Sequence, residues 1–400
     1  MKKYLNPRVA AIPPSGIRKF FDLVVQTQGV ISLGVGEPDF VTPWHIREAC
    51  FYSLEKGYTM YTSNLGMPEL RQEIAAYMLR TYGLEYDPET EILVTVGVSE
   101  AVDLAIRSLV SVGDEVLIPE PSYVSYLPVS DLAYAKSVSL TTTADNEFRL
   151  TREELAARVT SQSKLLVLPY PNNPTGGIMR REDLADLVDV IIDNDLIVVS
   201  DEIYSELTYA GEHVSIASLP GMRDRTVVLN GFSKAFAMTG WRIGYACGHA
   251  DIIATMNKIH QYTMLCAPIM GQVAAMEALR HGKPAMRKMV EDYNYRRRVM
   301  LQGLADIGLA CFEPRGAFYV FPSIQVTGMN SEEFAEKLLQ EEKVAVVPGN
   351  AFGPSGEGFI RCCYAASLDN IEEALQRMGR FVERHRSQKP SSSTAAACRN

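Results

Sequence analysis

Short apolar runs, interrupted by amphipathic helical patterns, constrain the fold of this chain more than any other feature of its sequence. The runs KLLVLPY (164–170), LIVVSDE (196–202) and RTVVLNG (225–231) are nearly continuous in apolar residues, and the helical pattern REDLADLVDVIIDN (181–194) separates the first two. Strands of this kind are typical of a parallel sheet that helices cover on both faces. The sequence therefore predicts an α/β fold with a mostly parallel central sheet.

The alternating pattern begins near residue 45 and predicts a large domain over residues 46–290. EILVTVG (91–97) and DEVLIPE (114–120) are its first strand candidates, and Thr151 with Glu154 has the spacing of a helix capping box.

The pattern changes after a long helical stretch at about 284–306. Shorter strands and helices follow, which predict a smaller α+β domain formed by residues 1–45 and 291–387. The small and polar residues 388–400 predict a disordered tail.

Composition argues against several classes of function. The formal net charge of −9 argues against a nucleic-acid partner, which would require a basic surface. No apolar stretch reaches the length of a membrane span, and no signal-peptide core follows the two lysines near the N-terminus, so the sequence predicts a cytoplasmic protein. The seven cysteines are irregularly spaced, which indicates neither a disulfide framework nor a metal site.

Polar clusters follow four of the predicted strands, where an open α/β sheet forms its ligand crevice. After the first, Gly97 permits a tight turn, and the backbone amides of Val98, Ser99 and Glu100 then open a helix. Helix N-termini of this kind bind phosphate, provided that the Glu100 side chain points away. Arg242 is a candidate for the matching cation.

Two charged residues at the other strand ends indicate which phosphate compound binds. Asp201 ends an apolar strand, so its carboxylate needs a cationic donor such as a protonated ring nitrogen. Lys234, in NGFSK, is a candidate amine for a Schiff base with an aldehyde. A phosphate site, a partner for a pyridinium and a Schiff-base lysine together predict pyridoxal 5'-phosphate as the cofactor.

The segments SLGVGEPDF, YTSNLGMPELR, PNNPTGG, SDEIYSELTY, SKAFAMTGWRIGY and GFIRCCYAAS extend this prediction over nearly the whole chain. In order and separation they resemble the class I/II aminotransferases, the aspartate-aminotransferase-like group of fold-type I pyridoxal-phosphate enzymes. Within that family the sequence resembles the bacterial branch that includes aminotransferase A and N-acetyl-diaminopimelate aminotransferases.

The resemblance implies roles for residues around the cofactor ring. Lys234 forms the Schiff base and moves the substrate proton, and Asp201 pairs with the ring nitrogen. Tyr204 and Asn173 donate to the phenolic oxygen of the ring, and Tyr123 stacks on its face. Lys234, Asp201 and Tyr204 are thus the predicted catalytic residues.

The resemblance also implies how the substrate and the phosphate are held. Arg361 binds the substrate α-carboxylate, with Asn173 and the backbone of Gly36 beside it, and Tyr61 reaches the phosphate in a neighbouring subunit. The enzyme is therefore expected to be a homodimer with its active sites at the interface.

Two positions depart from the family pattern. Gly231 stands where many relatives have a phosphate-binding serine, which leaves Ser233 and Ser99 as the candidate hydroxyls. Cys362 and Cys363 replace the usual Leu-Ser, and we interpret them as two small buried residues on a strand.

The expected reaction is transfer of an α-amino group from an L-amino acid to a 2-oxo acid, with 2-oxoglutarate as the acceptor and ping-pong kinetics. Aspartate, aromatic amino acids and N-acetyl-LL-2,6-diaminopimelate are all candidate donors. A β-eliminating C–S lyase would use the same site and stays an alternative. A non-enzymatic regulator that binds pyridoxal phosphate is a third, which the acidic composition and the early start of the catalytic pattern disfavour.

Overall fold

A central sheet of seven strands organises the chain, whose computed structural model describes residues 1–14 and 28–387. The strands of all its sheets, in chain order, are β1 (Ile31–Ser32), β2 (Ile92–Thr95), β3 (Glu115–Glu120), β4 (Lys136–Thr141), β5 (Ser163–Leu168), β6 (Ile197–Asp201), β7 (Thr226–Gly231), β8 (Gly244–Cys247), β9 (Tyr319–Val320), β10 (Val344–Ala345), β11 (Val347–Pro348) and β12 (Ile360–Cys363). The central sheet has the order β2-β8-β7-β6-β5-β3-β4.

The central sheet is mostly parallel, as the apolar runs predict. Strands β7, β6, β5, β3 and β4 run parallel to one another, whereas β8 is antiparallel to both β2 and β7. Every residue of β2, β3 and β7 is buried, because helices cover both faces of the sheet. The carboxyl ends of β2, β5, β6 and β7 therefore reach one edge, where the polar clusters follow.

Helices of eight or more residues surround this sheet and the smaller ones. They span Trp44–Glu55, Pro68–Tyr82, Gly97–Leu109, Arg181–Asp193, Ala250–Thr263, Ile269–His281, Lys283–Asp306, Ser331–Glu342 and Leu368–His385, and shorter helices span Pro7–Ala11, Tyr126–Leu132 and Arg152–Arg158. Among the described helices, none combines the length and the hydropathy that crossing a bilayer requires.

The predicted capping box at Thr151 forms only in half. The Thr151 hydroxyl accepts a hydrogen bond from the backbone N–H of Glu154 at 3.2 Å, and the helix Arg152–Arg158 begins there. The Glu154 carboxylate instead accepts from the backbone N–H of Thr141 at 2.8 Å, because β4 lies beside the helix start. The residue types predict the helix start correctly, but the partner of Glu154 is set by tertiary packing.

Two small sheets lie outside the central one. β1 pairs in parallel with β10, which joins the N-terminal segment to the C-terminal one, and β12 lies between β11 and β9 in an antiparallel sheet. Cys362 and Cys363 are both buried on β12, which confirms their interpretation from the sequence. The domain boundaries at residues 45 and 290 stay a prediction, and the helix Lys283–Asp306 runs without a break through residue 290. The predicted tail, 388–400, lies outside the described residues.

The aromatic pair Phe334–Phe381 holds the C-terminal helix Leu368–His385 against the helix Ser331–Glu342. Both rings are fully buried, and they meet edge to face with their centroids 5.1 Å apart. We expect Phe381→Ala to lower the free energy of unfolding by about 3–5 kcal/mol, because it removes the ring and leaves a cavity. Urea unfolding followed by circular dichroism measures this loss. Phe381→Leu should lose clearly less, and equal losses would contradict the packing argument.

Candidate active site

A cavity of about 480 Å³ opens at the carboxyl edge of the central sheet. The predicted site residues that line it are Gly36, Val98, Ser99, Tyr123, Asn173, Asp201, Tyr204, Ser233, Lys234, Arg242 and Arg361. They come from segments far apart in sequence, and the parallel strands bring their ends together. Of the predicted site residues, Glu100 and Tyr61 do not line it.

Close backbone packing shapes the predicted phosphate turn. Gly97 has a φ of +72° and begins the helix Gly97–Leu109 directly after β2. A Cβ atom at Gly97 would overlap the Arg242 guanidinium, so that cation lies against the turn. A Cβ atom at Gly244, on β8, would lie 2.6 Å from the backbone nitrogen of Val98. The two glycines therefore let a strand and a cation approach the same turn.

The Glu100 side chain points away from the cavity, as an anion site at this turn requires. Its carboxylate accepts a hydrogen bond from the backbone N–H of Val96, and its other oxygen lies 2.7 Å from Nδ1 of His260. Its backbone belongs to the first turn of the helix Gly97–Leu109. The prediction that Glu100 takes part in the site can thus hold only for its backbone.

Asp201 ends β6 with its carboxylate buried in the cavity wall. The hydroxyl of Tyr126 donates to Oδ2 at 2.8 Å, and the backbone N–H of Ile203 donates to Oδ1 at 3.2 Å. Burial raises the pKa of Asp201 to about 6, although both hydrogen bonds favour the charged form. A cationic group in the cavity would relieve this cost.

Tyr126 is a residue of the site that the sequence interpretation missed. It lies in the same segment as Tyr123, and the two rings meet edge to face with centroids 5.7 Å apart. Their spacing of three residues in PSYVSY was the available signal, because such a spacing places two side chains on one side of a helical turn.

Lys234 follows β7 and extends into the cavity. Its Nζ donates to the backbone oxygen of Gly36 at 2.7 Å, which connects the N-terminal loop to the central sheet. The rings of Tyr204 and Phe318 lie 5.7 and 5.5 Å from Nζ. This enclosure lowers the pKa of the Lys234 amine to about 8, so a large fraction is neutral near that pH.

Arg361, on β12, also lines the cavity and is held in a fixed orientation. Its Nη1 donates to Oδ1 of Asn173 at 2.8 Å, and its Nη2 donates to the backbone oxygen of Gly34 at 2.6 Å. Its guanidinium also lies 4.5 Å from the ring centre of Tyr319. The structure thus brings Arg361 and Asn173 together, as the family resemblance implies for a carboxylate site.

Tyr319 is a second residue that the sequence interpretation missed. Its hydroxyl lies 2.8 Å from the hydroxyl of Tyr204, and burial raises the pKa values of both phenols above their ordinary range. Tyr319 lies within GAFYVFPSI, where the alternation of side chains along a strand gives no reason to single out one aromatic residue. Only the pairing of β9 with β12 places it beside Arg361.

Tyr61 lies outside the cavity of its own chain, and the residue is 82% exposed. Its predicted role requires a second subunit, so its placement in one chain is compatible with that prediction without testing it.

Gly231 faces Gly244 across β7 and β8. A Cβ atom there would lie 3.0 Å from the backbone oxygen of Ile243 and 3.1 Å from the side chain of Val98. Glycine therefore fits this position better than the serine of many relatives.

Comparisons with known proteins agree with the geometry. Residues 28–378 match the family model described as aminotransferase class I and II. The putative aminotransferase YugH of Bacillus subtilis is 53% identical over 96% of this chain and 100% of its own length. An aspartate aminotransferase of Pyrococcus abyssi is 44% identical over 94% of this chain and 98% of its own. The crystal structure of an aromatic aminotransferase from Pyrococcus horikoshii, 43% identical, covers 92% of this chain and 99% of its own with a TM-score of 0.88.

The buried carboxylate of Asp201 gives a pH-dependent stability that can be measured. The pKa of Asp201 is about 6 in the folded cofactor-free protein and about 3.9 in an unfolded chain. The folded state therefore holds the proton more tightly, so the stabilisation is present at low pH and is lost as the pH rises through 6. We expect this loss to be about 1 kcal/mol between pH 5 and pH 8. Urea unfolding of wild type and Asp201→Asn at both pH values measures it, since groups that do not interact with Asp201 titrate alike in both proteins. An equal difference at the two pH values would contradict the assignment.

Proposed function

Since this chain belongs to the class I and II aminotransferases, which depend on pyridoxal phosphate, we propose that it transfers the α-amino group of an L-amino acid to 2-oxoglutarate by a ping-pong sequence of two half-reactions. The observation that carries this proposal is the meeting of Lys234, Asp201 and Arg361 in one cavity. An amine, a buried acid and a carboxylate-binding arginine are the groups that such a transfer needs.

The residues of the cavity fit pyridoxal phosphate. The Asp201 carboxylate is buried and costly to ionise, so it suits a protonated ring nitrogen. The turn at Gly97 combines a helix N-terminus with the Arg242 guanidinium, which suits a phosphate dianion. Lys234 lines the same cavity and carries an amine with a lowered pKa. Tyr123, Ser99 and Ser233 line the cavity and complete the proposed cofactor-binding set.

The roles of the side chains follow from their chemistry. Bound pyridoxal phosphate supplies an aldehyde for exchange of amines and a ring that withdraws electrons from the substrate Cα. Asp201 would hold the proton on the ring nitrogen, and the Tyr204 hydroxyl and the Asn173 amide would donate to the phenolic oxygen. Lys234 Nζ removes the α-proton and later returns one, which the pKa of about 8 permits near neutral pH.

The substrate carboxylate is the group that Arg361 would bind. The Arg361 guanidinium is buried and already bonded to Asn173 and Gly34, so it is oriented before the substrate binds. The backbone oxygen of Gly36 accepts a hydrogen bond from Lys234 Nζ. The N-terminal loop therefore lies beside the region where the substrate α-carbon would lie.

The lining supports an aromatic donor. Among the described lining residues, the cations are Lys234, Arg242 and Arg361, and the proposal already assigns each of them. Tyrosine rings, including those of Tyr126 and Tyr319, form much of the remaining wall. An aromatic side chain would pack on these rings, whereas an aspartate side chain would need a cation from outside the described lining, such as one from the partner subunit.

An exposed apolar surface supports a homodimer. The side chains of Trp44, Phe51, Tyr52, Met60, Tyr61 and Tyr262 are each more than half exposed. They belong to the helix Trp44–Glu55, to the loop after it and to the end of the helix Ala250–Thr263. Exposed apolar side chains of this size, where they lie together, mark interfaces between subunits. We propose a symmetric dimer in which Tyr61 of one subunit reaches the phosphate site of the other.

Product analysis tests the reaction. With a panel of amino donors and 2-oxoglutarate, we expect glutamate and the matching 2-oxo acid in equal amounts, with tyrosine and phenylalanine favoured over aspartate. Lys234→Ala should lose about a thousandfold or more in rate, because Lys234 is the one amine among the described residues that line the cavity. Chromatography of both products and initial rates at varied concentrations of each substrate measure these outcomes. Pyruvate and ammonia from a cysteine conjugate, without glutamate, would favour the lyase instead.

The carboxylate site predicts a specific loss in Arg361→Lys. A lysine cannot make the paired hydrogen bonds of the guanidinium, so kcat/KM should fall about 10- to 100-fold for every donor. Steady-state kinetics with two donors of different side chains measures this. Arg223→Lys, at an ion pair with Glu91 far from the cavity, is the control and should stay within twofold. A loss restricted to one donor would place Arg361 at the side chain of the substrate.

A further inference from the structure

The side chain of Gln272 holds the segment that follows Tyr61 at both of its ends. Gln272 is fully buried. Its Oε1 accepts a hydrogen bond from the backbone N–H of Met67 at 2.7 Å, and its Nε2 donates to the hydroxyl oxygen of Thr62 at 3.0 Å. One amide group therefore fixes the segment 62–67, and Tyr61 is the residue directly before it.

The hydrogen-bond partners determine the orientation of this amide. The backbone N–H of Met67 can only donate, and the backbone oxygen of Ala267, which lies 2.8 Å from Nε2 of Gln272, can only accept. The oxygen and the nitrogen of the amide are therefore not interchangeable. An apolar side chain at this buried position would remove all three hydrogen bonds at once.

Two further hydrogen bonds hold the middle of the segment. Nδ2 of Asn64 donates to the backbone oxygen of Leu265 at 2.6 Å. The backbone oxygen of Leu65 accepts from the backbone N–H of Val94 at 3.0 Å, and Val94 lies on β2 of the central sheet. The segment is thus attached to a neighbouring loop and to the sheet.

Tyr61 is exposed at the end of this constrained segment. The residue is 82% exposed, and the proposed dimer requires its hydroxyl to reach the phosphate of the neighbouring subunit. A tyrosine on a loose loop would lose conformational entropy on binding there, whereas a loop that is already fixed at the next residue loses less. Because a tyrosine side chain has only two rotatable bonds, the position of the backbone decides where its hydroxyl can lie.

We propose that Gln272 is a positioning residue for the cofactor phosphate of the neighbouring subunit, and that it acts through Thr62 and Tyr61. It fixes the loop in the place from which the Tyr61 hydroxyl donates to the phosphate. The inference rests on the proposed dimer and on the proposed role of Tyr61. It adds a fully buried residue that lies outside the described lining of the cavity.

Binding of two probes that differ only in a phosphate tests this role. Pyridoxine 5'-phosphate and pyridoxine lack the aldehyde, so neither reacts with Lys234, and the ratio of their dissociation constants measures the preference for the phosphate. The full-length chain freed of cofactor is titrated with each probe and followed by protein fluorescence. Tyr61→Phe should lower the preference about tenfold, because a hydrogen bond to a charged group is lost. An unchanged preference would overturn the role of Tyr61, and this inference with it.

With that loss established, Gln272→Leu should lower the phosphate preference about fivefold and change the affinity for pyridoxine less than about twofold. Added to Tyr61→Phe, it should change the preference by less than about twofold, because there is no longer a hydroxyl to position. An unchanged preference in Gln272→Leu, equal losses for both probes, or additive losses in the double variant would overturn this inference alone.

Thr226→Val is the matched control for the loss of a buried hydrogen bond. The hydroxyl of Thr226 is buried and donates to the backbone oxygen of Met222 at 2.7 Å, at the start of β7. Lys234 follows the other end of this strand, so the control should leave the phosphate preference unchanged. A loss in Thr226→Val equal to that in Gln272→Leu would show a general effect of destabilisation and would overturn the inference.

A second variant keeps the inference testable if Gln272→Leu does not fold. Thr62→Val removes the hydroxyl that accepts from Gln272 and leaves the bonds of the amide to Met67 and Ala267 in place. We expect the phosphate preference to fall about threefold, with no further fall when Thr62→Val is added to Tyr61→Phe. A preference equal to that of the wild type would overturn the inference.

Discussion

The burial of an acid and an amine in one cavity is the constraint on which the rest of the site depends. Asp201 and Lys234 follow the ends of adjacent strands, β6 and β7. Burial raises the pKa of Asp201 and lowers the pKa of Lys234, so it favours the neutral form of each group. Neither shift favours folding, because each reflects a cost of removing charge from water. Proteins retain such a cost where the reaction needs an amine with a lowered pKa and a buried acid. Hydrogen bonds limit this cost, since Tyr126 and Ile203 donate to Asp201 and Gly36 accepts from Lys234.

Close approach of backbone segments is the second requirement of the site. The turn at Gly97 is in contact with β8 on one side and with the Arg242 guanidinium on the other, and side chains at Gly97 or Gly244 would prevent this. Arg242 itself has a φ of +57°, a conformation that is unfavourable for a residue with a side chain. The antiparallel insertion of β8 between β2 and β7 therefore serves the proposed phosphate site, because it carries the chain past the turn at contact distance.

The small sheets complete the cavity from the other side. β12 carries Arg361, and the paired strand β9 carries Tyr319, whose ring and hydroxyl contact Arg361 and Tyr204. The N-terminal loop contacts both cations, since Gly34 accepts from Arg361 and Gly36 accepts from Lys234. A substrate bound between these walls would therefore be in contact with segments from both ends of the chain.

The sequence by itself determined the class of the fold and most of the residues in the cavity. Apolar runs reveal buried parallel strands because both faces of such strands are covered, and polar clusters after them reveal the crevice because parallel strands end at one edge. Tertiary structure alone decided which residues and strands contact one another. The antiparallel direction of β8, the bond of Glu154 to Thr141, the place of Tyr126 and Tyr319 in the wall, and the pairing of Glu100 with His260 all join residues distant in sequence. Local residue types determine which conformation a segment prefers, but which side chains meet depends on how the segments pack, and no short stretch of sequence encodes that.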